Sequence, residues 1–315
     1  MNEKVFLGID TSNYTTSISF VSYEGKLISN IKKLLPVTEG EVGLRQSNAV
    51  FEHIRNLSSL QEEILKNEKY DIKAIGYSSR PRDVEGSYMP CFLVGESFSL
   101  LLSSIMHVDR YSFSHQAGHV FSAIYSSGMD YSSPFISFHV SGGTTEILYV
   151  GIKEADVHIT KIGGSIDLHA GQAIDRIGVQ MGCRFPCGKY IEEYALQNDT
   201  VVTKAKICVN KFDCNLSGLE NMALKLYSET NNIKLTSAFV IDFISDTIIE
   251  LTKNVKREYG DINVLYAGGV MSNSIIKKKI RSTFENVYFA EPEFSSDNAV
   301  GIALLAREQY LSRNN

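Results

Sequence analysis

Two histidines four residues apart, in His115-Gln116-Ala117-Gly118-His119, are the pair in this sequence best placed to do chemistry together. On a helix, positions i and i+4 share a face, so both imidazoles can ligate one divalent ion. A pair of surface histidines is the plainer alternative. A third ligand has to come from elsewhere, and Asp297, in Ser295-Ser296-Asp297-Asn298-Ala299-Val300, is the candidate. A Ser/Asp cluster ahead of an apolar helix is also what N-capping looks like, and the two roles can coexist.

Glycine-rich turns come next. Ser141-Gly142-Gly143 follows a β-rich run ending in His139 and Val140, and glycine there lets backbone approach a phosphate and adopt positive φ. An ordinary hairpin turn is the competing reading. The earlier turn at Asp10, Thr11 and Ser12 matches it and shifts the balance towards a phosphate loop. Gly268 and Gly269 follow a buried strand and precede Asn273 at a helix start, where glycines can admit a flat adenosine; a plain strand-to-helix turn reads the same way. Asp175, inside a helix, can accept from a ribose or substrate hydroxyl, or simply pair with Arg176 on a solvated face. Gly188 and Glu192 follow the Pro186-Cys187-Gly188 turn, and Glu192 suits similar duty.

The elements that must carry these residues follow from periodicity. Residues 5–21 and 135–150 each read as strand, small-residue turn and returning strand, one structural idea used twice. A third strand is expected at 26–31. A helix is expected from Asn48 to Asn67, with Val50, Ile54, Leu57, Leu60 and Ile64 spaced three and four apart. A buried strand follows at 72–77, a helix at 98–105 and another from His115. The second half repeats the plan: a helix at 170–181, a long one at 237–255, a strand at 263–266, and helices after Asn273 and Asp297. Strands alternating with helices and opened by an antiparallel hairpin give a mixed α/β sheet, repeated. Two such halves facing one another enclose a cleft, the geometry of the actin, sugar kinase and Hsp70 ATPase (ASKHA) superfamily. The Ser126–Pro134 stretch reads as a linker, so one subdomain is expected over 1–127, carrying a helical insertion and the histidines. The other is expected over 128–315, carrying the phosphate loop and adenosine site.

The 315-residue chain is 43% hydrophobic and 21% charged, which allows two ordinary domains and excludes disorder. No apolar run reaches the roughly 20 residues that span a bilayer, so no membrane association is expected and a cytoplasmic location is. Five cysteines, an odd number without a CxxC pair, argue against a disulfide scaffold. A formal net charge of −5 gives no global attraction to nucleic acid. The Lys277, Lys278, Lys279 and Arg281 run is the local candidate for RNA contact, with a solvated helix face as the alternative.

In this order and spacing the motifs resemble the TsaD family, bacterial relatives of the tRNA threonylcarbamoyladenosine synthase formerly called O-sialoglycoprotein endopeptidase, nearly end to end. The resemblance rests on Gly8 to Ser12, on His115 and His119, on Val140 to Gly143, on Asn215 to Leu219 and on Asp297; nucleotide and substrate contacts fall on Asp175, Gly188 and Asn273. It implies transfer of a threonylcarbamoyl group from threonylcarbamoyl-AMP to the exocyclic amine of the adenosine beside the tRNA anticodon. It also implies one divalent metal, iron or zinc, on His115, His119 and Asp297, and an adenine nucleotide (ATP, AMP or threonylcarbamoyl-AMP) bound between the halves. No covalent nucleophile is implied. The implied partners are tRNA, a fold-related dimer partner (TsaB-like) and a small ATPase (TsaE-like), docking on a helical face that includes residues 48–67 and the helix after His115.

Several family motifs are altered. T-S-C-D-E-T is Thr11-Ser12-Asn13-Tyr14-Thr15-Thr16, S-G-G-H-T ends in Thr144-Thr145, G-P-G-L is Arg80-Pro81-Arg82-Asp83-Val84, G-E-A-F-D is Gly171 to Asp175, and P-G-G is Pro186-Cys187-Gly188. These changes leave room for a divergent carbamoyltransferase acting on another substrate. A non-catalytic scaffold paralogue would lack the metal residues, which are present here. A zinc peptidase needs a glutamate directly after the first histidine, and Gln116 stands there.

Overall fold

A computed structural model describes residues 2–12, 14–36, 44–65, 70–153 and 156–314, with backbone alone at 61–65 and 153. Asn13, residues 66–67 and the Ile64 side chain, all part of the sequence reading, lie outside the described residues. The chain packs into two units, one of Met1–Tyr125, Ile152–His158 and Ser296–Asn315, the other of Ser126–Gly151 and Ile159–Ser295.

In the first unit, β1 (Glu3–Ser12), β2 (Thr15–Ser22) and β3 (Leu27–Leu34) form an antiparallel meander; α1 (Gln46–Leu65) leads to β4 (Tyr70–Arg80), and α2 (Phe92–Met106) to β5 (Asp109–Ser114). β4 lies parallel to β1 and β5 parallel to β4, giving the order β3-β2-β1-β4-β5. Residues 5–12 of β1 are all buried, as expected of a central strand covered on both faces. β5 runs straight into α3 (His115–Ser127).

The second unit repeats the scheme. β6 (Phe135–Val140), β7 (Thr145–Lys153) and β8 (Asp156–Ser165) are followed by α4 (Ala170–Gln180), α5 (Gly188–Leu196), the short strands β9 (Cys208–Asn210) and β10 (Asp213–Asn215), and α6 (Ser217–Thr230). Then come α7 (Ile233–Tyr259), β11 (Val264–Ala267), α8 (Ser274–Thr283) and β12 (Val287–Phe289). The order β12-β11-β6-β7-β8-β10-β9 places β6 as β1 is placed, with β11 and β12 parallel to it as β4 and β5 are to β1. The repeat read from the two hairpins is therefore a repeat of whole sheets. Each unit has its own apolar core, one around Ile9, Phe20 and Ile75, the other around Phe138, Ile244 and Tyr266.

The last helix, α9 (Val300–Asn314), belongs to the first unit, although the sequence reading left everything from 128 onward in the second half. Its residues from Val300 to Ala306 are all buried, and the space a Cβ would take at Gly8 is filled by the Ala299 carbonyl, so the segment lies directly on β1. Periodicity shows that a helix is apolar; it does not show which sheet covers it.

Candidate functional site

Two groups of residues emerge, one in each unit. The first is built where β5 hands over to α3 and where the chain enters α9. His115 and His119 stand one turn apart at the start of α3 with ring centroids 4.4 Å apart. Asp297 Oδ1 lies 3.2 Å from His119 Nε2 and 3.5 Å from His115 Nε2, and donor atoms of all three lie within 4.8 Å of one another. Separations of this size are those of neighbouring ligands around an ion about 2.0–2.2 Å from each. Two imidazoles and one carboxylate suit zinc and iron(II) alike.

The approach that makes this possible is the crossing of α3 and α9. A Cβ at Gly301 would lie 1.9 Å from the Gly118 carbonyl oxygen, so only glycine allows the two backbones to come this close. Capping of α9 falls to Asn298, whose Oδ1 accepts from the Val300 N–H at 3.0 Å. That leaves the Asp297 carboxylate directed at the histidines.

Asp10 differs from the expectation. It was read as part of a phosphate-binding turn, but it is a fully buried residue of β1, and its Oδ2 lies 3.0 Å from His115 Nδ1 while Oδ1 accepts from Ser78 Oγ. This carboxylate fixes the ring so that Nε2 faces Asp297, the arrangement that orients metal-bound histidines. Thr11, also buried, spends its hydroxyl on the Cys91 carbonyl (3.0 Å) and the Gly95 N–H (3.1 Å); Ser12 is buried with its Oγ unpartnered. Asp10 pairs with Ser17 and Thr11 with Thr16 inside the ladder, and of the three only Ser12, paired with Thr15, borders the turn. The signal for Asp10 was present in the sequence: a carboxylate ending an otherwise apolar strand needs a buried partner.

Burial works against a charged His115, yet the Asp10 and Asp297 carboxylates outweigh it and raise its pKa to about 10. Asp297 is likewise pushed up by burial but held well below the carboxylate range by its bonds from the two histidines.

The second group lies in the second unit around a cavity of about 600 Å³, within the range of small-molecule sites. Gly142, Asp175, Gly188, Glu192, Gly269 and Asn273, each singled out in the sequence, line it together. At one end the turn after β6 meets the start of α4: the Gly171 N–H donates to the Ser141 carbonyl at 3.1 Å, and a Cβ on Gly171 would fall 2.6 Å from the Gly142 nitrogen. A helix N-terminus beside a glycine turn suits an anion. Neither Gly142 nor Gly143 adopts the left-handed conformation expected of it; a Cβ on either meets nothing within 4 Å, so what glycine supplies there is room. Gly268 is the one that needs positive φ (99°), and its missing Cβ clears the Val140 carbonyl. Val140 and His139 belong to β6, Val140 being buried, and neither lines the cavity.

Asp175 does not pair with Arg176, which reaches Glu220 at 3.4 Å. Its Oδ1 accepts from the Cys187 N–H at 2.7 Å, and burial raises its pKa while that bond opposes the rise. Glu192 Oε1 accepts from Ser274 N and Oγ, at 2.7 and 2.5 Å, and Asn273 Oδ1 caps α8 by accepting from Ile275 and Ile276. Asp167 escaped the sequence reading. Its carboxylate, held far below its usual pKa against the pull of burial, accepts from Leu168, Asn215, Leu216 and Ser217, and so anchors the Asn215 to Leu219 segment at the start of α6.

The family model for TsaD, tRNA N6-adenosine threonylcarbamoyltransferase, matches residues 37–304. The chain belongs to the TsaD family. Among TsaD relatives, the tRNA N6-adenosine threonylcarbamoyltransferase of Methanopyrus kandleri is 26% identical over 321 residues, covering 98% of this chain and 89% of that protein. That of Mesomycoplasma hyopneumoniae is 29% identical over 332 residues, covering 96% of each. Among solved structures, the activator of 2-hydroxyisocaproyl-CoA dehydratase from Clostridium difficile with bound ADPNP superposes with a TM-score of 0.54 at 13% identity, covering 98% of this chain and 97% of that one. This TsaD chain has the ASKHA fold, as the doubled sheet order indicates, and is an enzyme of the transferase class. No helix among its described residues is long and apolar enough to cross a membrane.

Proposed function

We propose that this chain transfers the threonylcarbamoyl group of threonylcarbamoyl-AMP to N6 of the adenosine next to the anticodon of tRNA, with a divalent ion, iron or zinc, held by His115, His119 and Asp297. The observation that carries the reading is the convergence of these three side chains, donor atoms within 4.8 Å, in a chain of this family. In the reaction the N6 lone pair attacks the carbamoyl carbon, the bond to the AMP phosphate oxygen breaks, AMP leaves with that electron pair, and the N6 proton passes to solvent. A bound ion supplies Lewis-acid stabilisation of charge developing on the carbamoyl group. Asp10 keeps His115 in one orientation throughout. The adenylate's nucleoside and phosphate suit the cavity of the second unit: Gly142 and the start of α4 for phosphate, Asp175 and Asn273 for hydroxyls. No side chain acts as a covalent nucleophile; positioning and electrostatics carry the rate.

A fold-related partner suits the first unit. Ile54 of α1 and Leu93 and Leu101 of α2 are 46–57% exposed along an apolar groove, where a dimer partner of the TsaB type would dock. α3, named with α1 as a docking helix in the sequence reading, is largely buried, and α2 takes its place. A cytoplasmic enzyme working with that partner and a small ATPase of the TsaE type is the setting we infer.

The test is incubation with threonylcarbamoyl-AMP and unmodified tRNA, with and without partner proteins, followed by nucleoside analysis. Modified adenosine should form with the parent and not with His115→Ala/His119→Ala. Full metal content and undiminished product in the double variant would refute the assignment.

A further inference from the structure

A second cavity, of about 430 Å³, lies in the first unit against β5 and the start of α3 and takes no part in the sites above. Arg80, Arg110, Arg313 and His158 contribute to its wall, together with Ser114 and Ala117, which flank His115. Its two carboxylates are fewer than the cations on the wall, and of them Asp83 is ion-paired while Asp156 keeps its charge. Asp83 is bridged to Arg80 and accepts from Ser114 Oγ at 2.6 Å, while Asp156 accepts from Gln309 at 2.9 Å. Arg110 and Arg313, by contrast, have no carboxylate within salt-bridge distance among the described residues. Arg110 lies over the Tyr77 ring (5.4 Å) and Arg313 over the Tyr111 ring (5.0 Å). Stacking of this kind fixes a guanidinium in place without neutralising it, and a planar N–H fork held so is matched to phosphate oxygens.

We propose that this cavity binds a backbone phosphodiester of the RNA substrate. The inference rests on the function proposed above and adds where the RNA is gripped. The cavity wall runs along β5 from Arg110 to Ser114, the residue before His115, so a strand held there lies along the element that leads into the metal residues. Phosphate contacts of this sort position RNA without reading its sequence.

The experiment uses the full chain with its metal and compares Arg110→Gln/Arg313→Gln, which keeps much of the stem and removes the charge, with Arg110→Lys/Arg313→Lys, which keeps the charge. Dissociation constants for tRNA are measured by fluorescence anisotropy over a salt series starting at low salt, with metal content and melting temperature alongside. The Gln pair should bind roughly 10-fold more weakly at low salt and lower the slope of log K against log salt by about 1, while the Lys pair stays near the parent. Unchanged affinity and slope in the Gln pair would overturn the proposal, as would an equal loss in both pairs, since the effect would then not depend on charge. Should the Gln pair melt early, Arg313→Gln alone, at an exposed position near the chain end, is read in its place. Inorganic phosphate serves as a second probe: if it binds the parent and not the Gln pair while tRNA binding is equal in both, the cavity is a small-anion site and the RNA assignment fails. Binding is read without turnover, so the two proposals separate. Loss of tRNA binding in the Gln pair with no modified adenosine from the parent would sink the transferase reading alone. Modified adenosine formed with equal KM for tRNA by parent and Gln pair would sink the cavity alone.

Discussion

Asp10 and His53 are buried side chains whose roles depend on what they face. Asp10→Asn keeps the shape and the bond from Ser78 but removes the charge that fixes His115. Metal affinity should fall about 10- to 100-fold, the usual cost of losing such a partner, while circular dichroism stays unchanged; competition with a graded chelator checks this, and affinity equal to the parent's would show that Asp10 is structural only. His53 is fully buried, with Nδ1 2.8 Å from Thr16 Oγ1 and Nε2 unpartnered, and burial lowers its pKa to about 4. In the unfolded chain it titrates near 6.5. Between those values the unfolded state binds more protons, so stability falls as pH drops from 6.5 to 4, by at most about 3 kcal/mol from this group. Urea midpoints should lose part of their slope over that window in His53→Gln; an unaltered slope would show that other groups govern it. The histidine pair was legible because spacing alone puts both rings on one face. Asp10 was misplaced because the hairpin closes beyond Ser12, and strand ends cannot be read to that accuracy from residue types.

The crossing of α9 and α3 and the turn beside α4 both depend on glycine, for opposite reasons. At Gly301 a Cβ would overlap backbone, so Gly301→Ala should cost on the order of 1–3 kcal/mol or more through overpacking and should also lower metal occupancy, because Asp297 moves with the entry to α9. Thermal melting and metal analysis on one sample test both, and a stable variant with full metal would contradict this account of the site. At Gly142 a Cβ meets open space, so Gly142→Val should leave stability near the parent's, within about 0.5 kcal/mol, yet weaken adenine nucleotide binding by calorimetry. Equal nucleotide affinity would mean that the phosphate loop lies elsewhere. The long helices were visible as periodic runs, and α7 outran its expected span because Asn232 caps it by accepting from Leu235 N. β5 was missed: Asp109-Arg110-Tyr111-Ser112-Phe113-Ser114 is short and polar on alternate positions, and only pairing with β4 makes it a strand.

Charge at the scale of the whole molecule decides how RNA is held. The formal net charge is −5, and within the basic run noted in the sequence one member is ion-paired inside its own unit. Lys279 pairs with Asp242 at 2.5 Å, and Lys277 and Arg281 lie over the Phe289 ring at 5.8 and 5.1 Å. Lys279 is thus tied within its own unit by an ion pair that composition could not show, since Asp242 lies 37 residues away, while Lys277 and Arg281 are held by stacking that leaves their charge in place. The local grip around Arg110 and Arg313 is enough for one or two phosphates. Proteins that hold nucleic acid tightly at physiological salt neutralise about 6–10. The isolated chain should therefore bind tRNA weakly at physiological salt, with a log K against log salt slope of about −1 to −2, and adding a partner on the apolar groove of α1 and α2 should both tighten binding and steepen the slope. A labelled-tRNA titration over a salt series, with chain alone and with partner, measures each quantity directly. Tight binding with a steep slope by the chain alone would mean that six or more cations converge on a surface the sequence did not reveal. A slope unmoved by the partner would mean that the added phosphate contacts are not the partner's to give.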